Sequence, residues 1–233
     1  MPMMRITFLF LLTALSCSVM ARLSTDKIPP MLLKHAAYWR GHLNSDFFKQ
    51  NLLHPDLWKK SKIITSVKIQ KKEYGLNVLQ LKSIGVVNAP IIFVFKHLLR
   101  FKAYKDFSMF VTRVNHLPLK QQFYIRFSAF NYVADLKIKY KTKSGVNDER
   151  IIFGEVVEGV FKGLHFELVS VDSYTLDKGR RSTRVQLKAV YGYAKLPIPE
   201  IFVNFGFEVV MEKLSATLKA HIERKYNQAL KSQ

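Results

Sequence analysis

Between Ile63 and Tyr193 apolar side chains repeatedly return at every second residue, and beyond Leu196 the interval lengthens to three and four. Alternation by two puts successive side chains on opposite faces of a strand, whereas a 3.6-residue period gathers them on one stripe of a helix. The clearest stretch sets Tyr132, Ala134, Leu136, Ile138 and Tyr140 on one parity against Val133, Asp135, Lys137, Lys139 and Lys141 on the other. One face is apolar and the other mostly charged, as an antiparallel strand with one wet face requires. The expected class is α+β: a meander of antiparallel strands followed by one long helix.

Further strands are expected over Ile63–Ile69, Leu76–Asn88, Ile151–Val157, Gly163–Val171 and Arg184–Tyr193. Tyr74-Gly75, Gly145 with Asn147-Asp148, and Asp177-Lys178-Gly179 supply the turns. Asn88-Ala89-Pro90 stops one strand and opens a helix whose stripe is Ile91, Val94, Phe95, Leu98 and Leu99. Proline is tolerated there because a first-turn N–H has no partner to lose. The last helix starts at Leu196-Pro197 and carries Phe207, Met211, Leu214, Leu218 and Ile222, widened near its start by Phe202, Phe205 and Val209. So apolar a beginning must be covered.

Upstream of the strands the pattern differs. Arg5 precedes an apolar run from Ile6 to Leu15, and Val19-Met20-Ala21 offers small residues for cleavage, the order of a secretory signal peptide. The run is about half the roughly 20 residues that span a bilayer as a helix. The sole cysteine, Cys17, follows Ala14-Leu15-Ser16 in a loose lipobox, so lipidation there is the alternative to simple cleavage. Both routes lead to export, periplasmic or secreted. The boundaries expected are 1–21 for the leader, 22–62 for an N-terminal helical extension and 63–233 for the main domain. Within the extension Met31, Leu32, His35, Ala36 and Trp39 recur at helical spacing.

Ile84-Gly85-Val86-Val87-Asn88-Ala89-Pro90 followed by Val94-Phe95 resembles the first strand and "APxxxVW" helix of the START-like (SRPBCC, helix-grip) superfamily, with Phe95 where many members carry Trp. Gly163 in Phe161-Lys162-Gly163, the Thr183-Arg184-Val185 strand start and Leu196-Pro197 extend the likeness over roughly Tyr74 to Tyr226. The resemblance implies a curved antiparallel sheet gripping the C-terminal helix, with an apolar cavity between them. Members bind lipids, sterols, quinones or polyketides, and a minority catalyse cyclisation or dehydration. On this basis Phe127, Tyr132, Leu136, Phe153, Tyr191, Phe202, Phe205 and Val209 are expected to line the cavity. Arg126, flanked by Ile125 and Phe127, and Glu155, sharing parity with Ile151, Phe153 and Val157, are the candidate polar cavity groups.

Signals for chemistry are sparse. None of the seven histidines stands in an HExxH-type pair, and no phosphate loop or GxSxG motif is present. No metal, no cofactor and no catalytic residue is assigned. Lys+Arg number 37 against Asp+Glu 17, a formal charge of +20, which calls for an anionic partner. Export disfavours nucleic acid, leaving an anionic membrane surface. Lys96, Arg100, Lys102 and Lys105, interleaved with Phe101, Tyr104 and Phe107, and the lysines 137, 139, 141 and 143 are the basic stretches. The functional expectation is a monomeric, non-enzymatic binder or transporter of a lipid or other hydrophobic small molecule that docks on anionic membranes. A cyclase/dehydratase-like enzyme and a ligand-free envelope structural protein are the alternatives.

Overall fold

The computed structural model describes Phe47 and residues 63–71, 77–129, 132–145, 148–174, 181–194 and 206–232. The chain divides into two units, Met1–Tyr38 and Trp39–Gln233, and all described residues belong to the second. The leader with Cys17, the extension apart from Phe47, the Leu196-Pro197 start, Phe202 and Phe205 lie outside the described residues.

Alternation builds eight strands: β1 (Ile64–Lys71), β2 (Asn77–Val87), β3 (Val111–Leu117), β4 (Gln122–Ala129), β5 (Tyr132–Ser144), β6 (Arg150–Gly159), β7 (His165–Tyr174) and β8 (Arg181–Tyr193). They form one sheet in the order β1-β2-β8-β7-β6-β5-β4-β3, antiparallel at every step. Between β2 and β3 the chain makes α1 (Ile91–Leu98), a 3-10 turn (Phe101–Ala103) and α2 (Tyr104–Phe107), and it closes with α3 (Phe207–Lys231). The last helix crosses β1 and β2 and meets α1 and α2. A single antiparallel sheet holding the C-terminal helix is the α+β helix-grip fold.

Register decides which parity faces the helices. Leu79 opposes Ile69 and Tyr191, Leu168 opposes Ile152 and Leu187, and Phe123 opposes Ile138, so these all share the inner face. Two connected packings fill it. Leu79, Phe101, Val111, Phe123, Ile125, Leu136, Ile138, Val156, Phe161 and Tyr193 form one, with Phe207 and Leu214 of α3 against it. Val87, Ala89, Val94, Leu98, Ile152 and Ile222 form the other, joined by Leu218 and Tyr226.

The strand-to-helix corner is pinned by two distant side chains. The Thr183 hydroxyl donates to the Ala89 carbonyl at 2.7 Å, and the Asn88 N–H donates to a Glu223 carboxylate oxygen at 2.8 Å. Lys219 holds the same carboxylate from one turn back at 2.9 Å. Two of the motifs that carried the family resemblance, Asn88-Ala89-Pro90 and Thr183, thus meet each other, and the first is also bonded to α3 at Glu223.

On β6 the inward parity is Ile152, Gly154 and Val156 rather than Ile151, Phe153 and Glu155. A Cβ on Gly154 would lie 2.0 Å from the Phe166 ring, so the glycine is where a neighbouring strand's aromatic takes the inner space. Outside, Phe47 and Ile64 pack on Ile84 and Val86.

Candidate functional site

The inner face presents three aromatic groups from one end of α3 to the other. At the helix start, Tyr191 stacks on Tyr193 with ring centres 5.7 Å apart and meets Phe161 edge-on at 5.7 Å. Phe161 meets Phe207 edge-on at 5.3 Å. The Tyr191 hydroxyl donates to the Val160 carbonyl at 3.2 Å, and burial pushes its pKa up. Phe127 and Ala134 pack half-buried on the same cluster, beside the buried Leu136.

In the middle, Phe101 stacks on Phe123 at 4.1 Å and meets His116 and Tyr140 edge-on at 5.1 and 5.0 Å. Inside this aromatic wall His116 Nε2 lies 2.8 Å from the Tyr140 hydroxyl. Burial, helped by the Lys102 charge, lowers the His116 pKa, and burial raises that of Tyr140. This neutral pair is a polar group on the inner face that periodicity did not single out.

At the far end α1 and α3 bring His97 and His221 to 6.5 Å between ring centres. His97 stacks on Phe93 at 4.2 Å, and its Nδ1 lies 2.9 Å from the Phe93 carbonyl. A carbonyl only accepts, so Nδ1 carries the proton and Nε2 is left to accept from Arg100 at 3.4 Å. Phe107 covers His221 at 4.6 Å, and His221 Nδ1 is buried without a partner among the described residues. Burial is the first cause lowering both pKa values. Arg100, Lys96 and Lys225 act on His97 in the same direction, opposed by its bond to Phe93; Arg224, His97 and Lys225 act on His221, opposed by Asp106.

The sign follows. A histidine whose folded pKa lies below the unfolded value of 6.5 takes up protons more readily in the unfolded chain. Stability is then complete above about pH 6.5 and lost as pH falls through that value toward the lowered folded pKa. Thermal unfolding between pH 7.5 and 5 should show a midpoint that falls with acidity, and His221→Leu should flatten the fall. A midpoint flat across this window in the unaltered protein contradicts the assignment.

The sequence-predicted residues divide. Phe127, Leu136 and Tyr191 lie on the inner face near the helix start. Tyr132 has the inward parity but stands at the strand end, 45% exposed. Phe153 is corrected: it lies on the outer face between Lys141 and Glu167, 37% exposed. Val209 comes two residues after Phe207, roughly opposite the sheet-facing stripe of the helix, and is half-buried. Both polar candidates are also corrected. Arg126 is exposed on the outer face and donates to Asp135 from two nitrogens at 2.7 and 2.8 Å. Its hydrogen bonds hold the Asp135 carboxyl below the usual carboxylate range, an exposed pair of small energetic weight. Glu155 stands opposite Lys139 and His165, again outside. The aromatics expected at a membrane interface turn inward: Phe101 is buried, Tyr104 donates to the Leu98 carbonyl at 2.7 Å, and Phe107 lies on His221. Lys96, Arg100, Lys102 and Lys105 beside them are exposed.

No group of three His, Cys, Asp or Glu among the described residues is placed to hold a metal ion. An outer recess lined by Phe47, Ser66, Lys68, Gln80 and Lys82 has about 30 Å³, room for water and too small for a lipid.

No protein-family model matches the chain, and no curated protein matches it. Solved structures resemble it in chain path. A STAR-related lipid transfer protein fragment from Xanthomonas axonopodis does so at 14% identity and a TM-score of 0.48, covering 67% of this chain and 98% of that one. A START superfamily protein from Mycobacterium smegmatis gives 14% and 0.44, covering 62% and 97%. The Zhui aromatase/cyclase from Streptomyces sp. R1128 gives 16% and 0.47, covering 64% and 95%. The helix-grip assignment rests on the sheet order and the helix contacts of this chain itself.

Proposed function

We propose that the protein is a non-enzymatic carrier that holds a lipid or another apolar small molecule between the inner sheet face and α3. The observation that carries this reading is the incomplete cover of the last helix: of its 25 residues only Ile222 is fully buried. Phe207, Met211, Leu214 and Leu218 share its stripe yet are only half-buried, opposite an aromatic-rich wall. Apolar surface left half-covered next to aromatic walls suits an apolar guest, with few polar groups to orient it. His116 and Tyr140 are the inner-face polar pair assigned to that purpose. The enzyme alternative rested on Arg126 and Glu155, and both face outward.

Export by the leader and docking on anionic membranes complete the reading. It is supported by the +20 charge and by the exposed lysines 96, 102, 105, 139, 141 and 143. Each basic residue near such a surface contributes about 1 kcal/mol. Among the described residues no helix is long and apolar enough to cross a membrane.

Native mass spectrometry of protein purified from its own envelope should find co-purified lipid, and the emptied protein should take up a fluorescent fatty-acid probe. Leu214→Trp, adding bulk where α3 packs on the inner sheet face, should weaken uptake roughly tenfold while keeping the unfolding transition. A protein that is empty and takes up no probe refutes the carrier. Flotation with vesicles that ignores lipid charge and salt refutes docking through the basic surface.

A further inference from the structure

Four large apolar side chains stand exposed at one end of the sheet: Met109 at 78%, Val133 at 59%, Tyr132 at 45% and Val160 at 42%. They come from three separate turns, and hydrogen bonding and register bring those turns together. The Ser128 N–H donates to the Phe110 carbonyl at 2.8 Å, tying the Met109 corner to the end of β4. There Ser128 and Ala129 oppose Val133 and Tyr132. Three residues beyond Val133 on β5, Leu136 opposes Gly159, which brings the next residue, Val160, to the same end of the sheet. This is also the end at which α3 begins, since Phe161, next to Val160, meets both Tyr191 and Phe207. Among the described residues the other strongly exposed apolar side chains stand apart: Leu119 in the turn at the opposite end of β3, Ile92 on α1 and Leu230 near the end of α3.

Isolated exposed apolar residues need no explanation, but several on one rim mark a contact surface. Exposed cations flank it, Lys105 four residues before Met109 and Lys162 two after Val160. An apolar rim with lysines behind it matches the boundary of an anionic bilayer, where apolar tips enter the acyl region and ammonium groups stay among the phosphates.

We propose that Met109, Tyr132, Val133 and Val160 form the edge that enters an anionic lipid bilayer, placing the start of α3 and the Tyr191–Phe161–Phe207 aromatics against the membrane. The proposal rests on the membrane part of the reading above and replaces the inward-turned aromatics of 101–107 with a specific contact edge. It requires no particular ligand.

The test uses the full chain carrying Cys17→Ser, with Met109→Cys, Val133→Cys or Leu119→Cys labelled with the environment-sensitive dye NBD. The vesicles contain phosphatidylcholine and phosphatidylglycerol. At 109 and 133 emission should rise severalfold with vesicles and be quenched by nitroxide lipid, while label at 119 should stay silent. The triple variant Met109→Ser, Val133→Ser and Val160→Ser should bind vesicles at least tenfold more weakly and still take up the fatty-acid probe. Flotation with silent labels at 109 and 133 overturns the proposed edge while docking through another surface stands. No flotation overturns the membrane reading and this proposal with it. Equal response at 119, or a response that depends on protein concentration rather than vesicles, assigns the rim to something other than the bilayer and overturns the proposal. Insertion without probe uptake supports the edge and removes only the carrier.

Discussion

Gly159→Ala should cost about 3 kcal/mol of folding stability, the sum of a conformational and a steric penalty that cannot relieve each other. Gly159 closes β6 at φ +106°, where an L side chain is strained. A Cβ there would also stand 2.0 Å from the Asp135 carbonyl oxygen and 3.0 Å from a Leu136 methyl. The obstruction is backbone, and the backbone is held: Leu136 is paired with Gly159, and the register shifts at Lys137/Ile138 immediately beyond. In a chain of this size 1 kcal/mol moves the thermal midpoint by roughly 2–4 °C. A fall of about 9 °C is therefore expected by calorimetry. Gly85→Ala is the control, since its Cβ would meet only the Ile63 side chain, at 3.1 Å. It should change stability by less than about 1 kcal/mol. Equal effects for the two would show that the tight crossing at Gly159 is not what fixes the β5–β6 register.

Ile222→Ala should cost a similar amount, about 3 kcal/mol, by a different route. Ile222 is 1% exposed and fastens α3 to Val87, Ala89, Val94 and Leu98. Truncation leaves a cavity that the corner cannot collapse into, because Thr183 and Glu223 pin Ala89 and Asn88 on either side. Amide exchange should then quicken along α3 and α1 while the β4–β5 pairing keeps its protection. Urea unfolding measures the loss. A change below about 1 kcal/mol, or uniform loosening of the sheet, would mean that α3 is held elsewhere along its length.

These two sites show how far the sequence can be read. Where one face is charged, as on β5 with its row of lysines, parity alone names the buried side. On β6 both parities are apolar. The inward one is hidden because its middle residue is Gly154, whose space belongs to Phe166 of another strand. Alternation therefore points Phe153 and Glu155 to the wrong face. In β3 the register shift between Val111 and Arg113 breaks the alternation, leaving the inward Val111 and Val114 at a misleading interval of three. Phe101, Tyr104 and Phe107 also recur at an interval of three, and there the spacing was a true sign of an inward helical face that the surrounding lysines masked.

The sequence by itself determined the α+β class, the positions of most strands, the Pro90 helix start and the apolar stripe of the last helix. A repeat of two or 3.6 records how a segment's own surroundings differ from side to side, and no partner need be known. Only the tertiary structure decided that Arg126 and Glu155 face away from the helix, that His97 meets His221 and His116 meets Tyr140, and that Met109, Tyr132, Val133 and Val160 share one rim. Each of those facts depends on strand register or on contacts between distant segments, and a local period carries no information about either.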